Sequence, residues 1–222
     1  MDQRGEAILD AVIEEFISTG EPVSSGSLYE DYDFGIKPAM IRLELEALEE
    51  QGLLEQPHHS AGRVPTDKGY EFFAERALGV NASRAGTHDL KDLFEKRAWQ
   101  DLLFEFSSEL GLLGVIADFQ NDTIYKMGLE NLVENLDCWE DPSQISAVIR
   151  DFEAMDNCLP AAIKKMGNDL NVFIGKKSPV TKSDNLSVVG GNYAVRGGTI
   201  SIFAIGPKRM DYKKTIRILK NL

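Results

Sequence analysis

Four cations stand out in an acidic stretch: Lys37, Arg42, Arg63 and Lys68, within 80 residues that carry 6 Lys and Arg against 17 Asp and Glu. Their chemistry is anion recognition. A guanidinium offers paired donors in one plane, which suits the edge of guanine or two phosphate oxygens, and Arg42 is the natural candidate. Lys37 precedes Pro38, a residue at home in the first turn of a helix, where the positive end of the dipole favours a phosphate. Arg63 sits between Gly62 and Val64 in a loop expected to form a hairpin tip. Glycine allows close approach, Ser60 donates to phosphate, and an arginine there suits a minor groove. Each has a plainer reading: a solvated Lys37, an Arg42–Glu46 pair at i,i+4, and an ordinary hairpin around Arg63.

Other chemistries find little support. His58 and His59 are adjacent, so in a strand they face opposite ways and do not share a metal, and His88 stands alone. Cys138 and Cys158 form no C-x-x-C pair and are too few for a disulfide framework. No metal or other cofactor is expected. No Ser/His/Asp order, phosphate-binding glycine loop or paired carboxylates indicate an enzyme. No apolar run approaches the roughly 18 residues of a membrane helix, and the first 25 residues lack an apolar signal core. These features point to a cytoplasmic protein with no membrane partner.

The elements that must position these residues read clearly at the start of the chain. Residues 4–19 return Ile8, Leu9, Val12, Ile13, Phe16 and Ile17 to one helical face. Pro22 stops that helix, and Ser24 or Ser25 caps a short second one carrying Leu28 and Tyr32 inward. A third helix opens at Lys37-Pro38 and buries Ile41, Leu45 and Leu48. At 100° per residue, Ala39, Arg42, Leu43 and Glu46 then turn outward. A short strand at 53–56, a polar loop and a returning strand from Val64 add a β-hairpin, after which Thr66 caps a helix over 67–78. This is the outline of a winged helix-turn-helix.

Beyond a polar linker at 80–87, residues 88–113 read as one long helix, suited to a dimer contact or to packing in its own domain. Strands are expected at 112–119 and 123–127, and helices at 129–136, 142–155 and 159–166. Strands follow at 170–174, 186–195 and 199–205, the last broken by Gly206-Pro207, with a final helix from Asp211. The fold class is therefore α+β.

Charge raises an objection to DNA. The chain carries 36 Asp and Glu against 24 Lys and Arg, a net charge of −12, whereas DNA affinity comes largely from neutralising phosphates. The acids Glu14, Glu15, Glu30, Asp31 and Asp33 fall on the first two helices, away from the third helix and the hairpin. Screening over about 8 Å lets a few well-aimed cations act locally, with binding that fades steeply as salt rises. The last 51 residues carry 10 Lys and Arg against 2 Asp and Glu. That block (Lys208, Arg209, Lys213, Lys214, Arg217, Lys220) is read chiefly as an electrostatic partner of the acidic middle, and secondarily as another DNA surface.

The stretch Gln56-Pro57-His58-His59-Ser60-Ala61-Gly62-Arg63-Val64-Pro65-Thr66-Asp67-Lys68-Gly69-Tyr70 resembles the wing of the HrcA family of bacterial heat-inducible transcription repressors. Ser18-Thr19-Gly20-Glu21-Pro22-Val23, Ala39-Met40-Ile41-Arg42 and Leu48-Glu49-Glu50-Gln51-Gly52-Leu53-Leu54 are similar to the same family in the same order. So is Ile205-Gly206-Pro207-Lys208-Arg209-Met210-Asp211-Tyr212 near the C-terminus, with weaker landmarks at 128–132 and 172–175. The resemblance implies a winged-helix DNA-binding domain over 1–79, a linker over 80–87 and a reduced GAF-like sensor and dimerisation domain over 88–222. It also implies a homodimer on an inverted-repeat operator ahead of chaperone genes, kept active by the GroE chaperonin and released on heat stress. Carried onto this chain, the DNA-contacting set is Lys37, Ala39, Met40, Arg42, Leu43, Ser60, Gly62, Arg63 and Lys68.

Two departures matter. The family's central sensor strands are reduced between about Asp118 and Thr123. The reading-helix pattern Ala-Thr-Ile-Arg-Asn becomes Ala39-Met40-Ile41-Arg42-Leu43, and leucine cannot make asparagine's hydrogen bonds to adenine. A different operator follows, with contact to a thymine methyl in place of adenine. Rival readings are a regulator binding a small molecule near Gly190-Gly191 and Gly197-Gly198, and a degenerate member that no longer binds DNA.

Overall fold

Helix α1 (Gln3–Thr19) forms because Ile8, Leu9, Val12 and Ile13 share one face, and all four are sealed from solvent. Asp2 caps it by accepting from the Gly5 N–H at 2.8 Å, and Gly20 ends it at φ 74°, a left-handed turn that glycine takes without strain. The structure is a computed structural model that describes residues 1–58, 61–80, 88–136, 142–167 and 169–222. Ser60, His59, Cys138, the His88 side chain and nearly all of the 80–87 segment lie outside the described residues.

Helix α2 (Ser25–Asp31) starts with a reciprocal cap between Ser24 and Ser27 and buries Leu28. Helix α3 (Pro38–Glu50) has proline in its first turn and buries Ile41, Leu45 and Leu48 against its neighbours. A two-stranded antiparallel ribbon follows, β1 (Leu54–Glu55) with β2 (Val64–Pro65). Thr66 then caps α4 (Asp67–Gly79) by accepting from the Gly69 N–H at 3.1 Å. Arg76 ties α4 to α1 through Asp10 at 2.9 Å and Glu6 at 3.5 Å. The chain divides into two compact units, Met1–Arg76 and Ala77–Leu222, with the division falling inside α4.

The second unit is built on a five-stranded antiparallel sheet of order β4-β3-β7-β6-β5. Its strands are β3 (Leu113–Asp118), β4 (Thr123–Met127), β5 (Asn171–Ile174), β6 (Leu186–Val195) and β7 (Gly198–Pro207). Its helices are α5 (His88–Glu95), α6 (Trp99–Leu110), α7 (Leu129–Glu134), α8 (Pro142–Lys165) and α9 (Tyr212–Lys220). The main core joins Val115, Val188 and Phe203 of the sheet to Leu132, Val148 and Leu159 of α7 and α8. Helices beside an antiparallel sheet make the molecule α+β, in agreement with the sequence.

Three elements differ from the expectation. The helix read over 88–113 breaks into α5 and α6 at Arg97, which adopts φ 57°. The break brings Phe94 edge-on to both Trp99 and Tyr193, each at 5.8 Å between ring centres, so aromatic packing outweighs helical continuity. The two helices read over 142–155 and 159–166 are one, with Pro160 inside it. Val148, Met155, Leu159 and Ala162 stay buried along a single stripe, while Pro160 faces solvent. Water can therefore satisfy the carbonyl that proline leaves without a partner. Strand β7 runs through Gly206-Pro207, because Pro207 ends the ladder opposite Leu186 and its missing N–H interrupts nothing further.

Where the resemblance places the reduced sensor strands, β3 and β4 are joined directly by Phe119–Asp122. The Asp118 carboxylate holds that turn, accepting from the Gln120 and Asn121 N–H groups at 3.2 Å each.

Candidate nucleic-acid interface

The outward side of α3 is set by its inward side. Ile41, Leu45 and Leu48 point into the core, so helical geometry carries Ala39, Arg42, Leu43 and Glu46 to solvent, and all four are exposed. Met40 is exposed on one flank, and Arg42 stands on the other. Lys37 occupies the N-cap position in extended backbone conformation, exposed and making no side-chain cap. Neither Lys37 nor Arg42 makes an ion pair among the described residues, and the Arg42–Glu46 pair that their spacing allows is not formed.

The ribbon reaches this helix through a non-local bridge. Val23, just before α2, exchanges backbone hydrogen bonds with Arg63, its N–H donating at 2.9 Å and its carbonyl accepting at 2.7 Å. Gly62 is required beside that bridge, since a Cβ there would stand 2.2 Å from the Val23 carbonyl oxygen. A cleft of about 400 Å³ opens between the start of α2, the Arg42 flank of α3 and the returning limb of the loop. Ser24, Ser25, Arg42, Glu46, Gln56 and Arg63 line it.

Arg63 departs from the sequence reading. It is not at the hairpin tip but on the returning limb next to β2, paired to Val23. Its guanidinium meets the Glu49 carboxylate of α3 at 2.8 Å, with only 13% of the side chain exposed. Glu49 stands two turns after Arg42 on the same flank, and it anchors Arg63 to the helix. Lys68 is also occupied: its ammonium donates to the Gln51 carbonyl at 2.7 Å, at the negative end of α3. The structure thus gathers Lys37, Ala39, Met40, Arg42 and Leu43 on one end of α3, with Gly62 and Arg63 across the cleft. It leaves Lys68 at the opposite end, about 18 Å away along a 13-residue helix.

Sequence reasoning missed Ser25 and Gln56 as cleft residues and saw Ser24 only as a helix cap. Gln56 braces the loop by donating to the Ala61 carbonyl at 2.9 Å. The Val23–Arg63 bridge that brings these groups together spans 40 positions, so no local pattern announces it. The acids that charge patterning assigns to the first two helices do not line this cleft, but α3 brings Glu46 to its wall and Glu49 to Arg63. Burial and then Glu15, Glu14 and Asp31 push up the pKa of the Tyr32 hydroxyl, which marks the ends of α1 and α2 as the anionic side.

In the second unit, the basic C-terminal block is partly consumed internally. Lys208 pairs with Asp184 at 3.2 Å, and Lys214 with Glu109 of α6 at 3.5 Å. Lys220 donates to the carbonyls of Leu78 and Val80 at the end of α4. Of the glycines expected near a ligand, Gly197 has nothing within 4 Å of where a Cβ would stand, while the other three are covered by the chain itself. A Cβ would meet Phe203 at Gly190, Leu170 at Gly191 and Gln120 at Gly198. Among the described residues, no group of three or more His, Cys, Asp or Glu is placed to hold a metal, and no helix is long and apolar enough to cross a membrane.

Comparison with known proteins bears on the whole chain. Its fold resembles a crystal structure of a hypothetical protein, with a TM-score of 0.74 over 99% of this chain and 94% of that one at 18% identity, which speaks for the fold alone. Heat-inducible transcription repressor HrcA of Desulfitobacterium hafniense is 45% identical over 96 residues, covering 43% of this chain and 27% of that protein. The repressor of the same name from Moorella thermoacetica is 52% identical over 75 residues, 34% of this chain and 22% of that protein. That of Thermobifida fusca is 53% identical over 80 residues, 36% and 23% respectively. The matched stretches span about a quarter of the length of these curated relatives. The family described as the HrcA protein C-terminal domain matches residues 67–216, which takes in every strand and helix of the sheet-bearing unit except the last residues of α9. With that match across most of its length, the chain belongs to the HrcA family.

Proposed function

We propose that residues 1–79 form a winged helix-turn-helix and that the chain is a DNA-binding repressor of heat-shock chaperone genes. In this reading α3 lies in the major groove, the β1–β2 ribbon is the wing, and 88–222 is a shortened GAF-like sensor and dimerisation domain beyond a linker at 80–87. The protein works in the cytoplasm as a homodimer on an inverted-repeat operator, depends on the GroE chaperonin and leaves DNA on heat stress. Marginal stability suits such a switch, because about 1–2 kcal/mol changes the abundance of a folded protein several-fold.

The observation that carries the reading is the exposed first half of α3, with Lys37 and Arg42 uncommitted beside Ala39, Met40 and Leu43. Family membership supports it, since the relatives quoted are named heat-inducible transcription repressors. Ser25, on the wall of the cleft, supplies a hydroxyl donor suited to phosphate. The test is selection of random duplexes by the purified protein. Recovery of an inverted repeat with half-sites about 34–36 Å apart, or a multiple, is expected for a dimer of such modules. Failure to enrich any sequence favours the second reading, a member that has lost DNA binding. The Glu49–Arg63 pair and the acidic balance of this region speak for that alternative.

A further inference from the structure

The buried stripe of α3 is complete with Ile41, Leu45 and Leu48, yet the helix carries a second apolar set on its far side. Met40 and Leu43 are 45% and 55% exposed, with exposed Ala39 beside them. Leu43 points almost directly away from the core, Ala39 lies one turn before it, and Met40 and Arg42 flank it. Glu46 and Glu50 continue the same outward line, so the apolar surface is confined to the first two turns. There Lys37 and Arg42, neither held in an ion pair among the described residues, give the surroundings a cationic frame.

An apolar centre framed by cations suits one occupant well. The major groove is about 12 Å wide and admits a helix between two rows of phosphates, and the apolar group that base pairs present on its floor is the 5-methyl of thymine. Neither methionine nor leucine offers the donor or acceptor pairs that read adenine or guanine. We propose that Met40 and Leu43 are specificity-determining residues that read thymine 5-methyl groups in the major groove. This rests on the DNA-binding reading above and names what its central residues recognise.

Uracil differs from thymine only by that methyl, which makes the test selective. In the duplex recovered by selection, each thymine of a half-site is replaced in turn by uracil, and binding is measured for the wild type, L43A and M40A. Both side chains are about half exposed, and far-UV circular dichroism verifies that the variants fold. Uracil at one or two half-site positions is expected to weaken wild-type binding about fourfold each, the factor that corresponds to about 0.8 kcal/mol per buried methyl carbon. L43A or M40A should lower the affinity for the thymine duplex to that of its uracil counterpart and erase the difference between them. Equal binding of thymine and uracil duplexes overturns the inference while leaving DNA binding intact. A uracil effect that persists in full in both variants overturns the assignment to these residues. Failure to bind any duplex overturns the parent reading and this inference with it.

Discussion

Arginine 42 and arginine 63 look alike as letters but differ as chemical groups. Arg42 projects from α3 into the cleft with no carboxylate partner among the described residues, whereas Arg63 is nearly covered and holds Glu49 at 2.8 Å. The two should fail differently when truncated. R42A is expected to lower duplex affinity by about 1–3 kcal/mol with the thermal midpoint unchanged, and R42K should recover little, because a lysine has no planar fork. Fluorescence anisotropy with a labelled duplex reads the first effect and a melting curve the second. R63A is expected to act first on the fold, costing about 1–2 kcal/mol through the lost charged hydrogen bond and the lost packing of a side chain only 13% exposed, while Glu49, 39% exposed, is left to water. Urea unfolding followed at an unchanged slope tests this, and an R63A protein of native stability would refute it. At this scale the sequence named the cations but could not rank them. A guanidinium is uncommitted or engaged according to which carboxylate the fold sets beside it.

At the scale of elements, the boundaries that matched were those written into local chemistry. β4 and β6 occupy Thr123–Met127 and Leu186–Val195, where the sequence places them, bounded by turns that their own residues favour. The misses share a cause. Pro160 signals a helix end locally, yet α8 continues because buried residues on either side of it lie on one stripe against the sheet. This gives a test in the unusual direction. P160A restores an N–H on the exposed face and should stabilise the protein by about 1–2 kcal/mol, the helix gain offset in part by a more flexible unfolded chain. A lowered melting temperature would show that proline sets a bend the core needs. The break at Arg97 is the converse case, since helical spacing persists across it but the Phe94, Trp99 and Tyr193 rings meet only if the chain turns. Burial also pushes the Tyr193 hydroxyl pKa upward, and it donates to the Leu219 carbonyl at 2.9 Å.

At the scale of the whole molecule, the net charge of −12 and the internal use of cations govern how DNA would be held. With Arg63 paired and Lys68 capping α3, Lys37 and Arg42 remain as the main phosphate ligands among the expected basic residues. A dimer neutralising two phosphates per protomer should show a slope of about −4 in log affinity against log salt. A titration giving near-zero slope with retained affinity would exclude phosphate contact by these side chains. Stability should also respond to pH through the C-terminal block. Burial works against ionised Asp184, but its hydrogen bond and charge contact with Lys208, and then Lys176, hold its pKa below the ordinary aspartate value of 3.8. A carboxylate with a lowered folded pKa stabilises above its unfolded value and loses that contribution as pH falls through the folded one. D184N should therefore be less stable at neutral pH, by about 0.2–1 kcal/mol for so exposed a pair. The two proteins should converge in melting temperature as pH falls below 3.8.

The order of residues determined by itself the α+β class, the three opening helices with the serine cap of the second, and the family to which the chain belongs, because periodicity, capping and motif spacing are local properties of the string. Only the tertiary structure decided which cations stay uncommitted, where the ribbon docks on α3, and that the glycines of β6 and β7 are filled by neighbouring side chains. Those outcomes depend on contacts such as Val23 with Arg63 and Gln120 with Gly198, between residues far apart in the chain. Packing and electrostatics act through space, and their partners are chosen when the whole chain closes around its core.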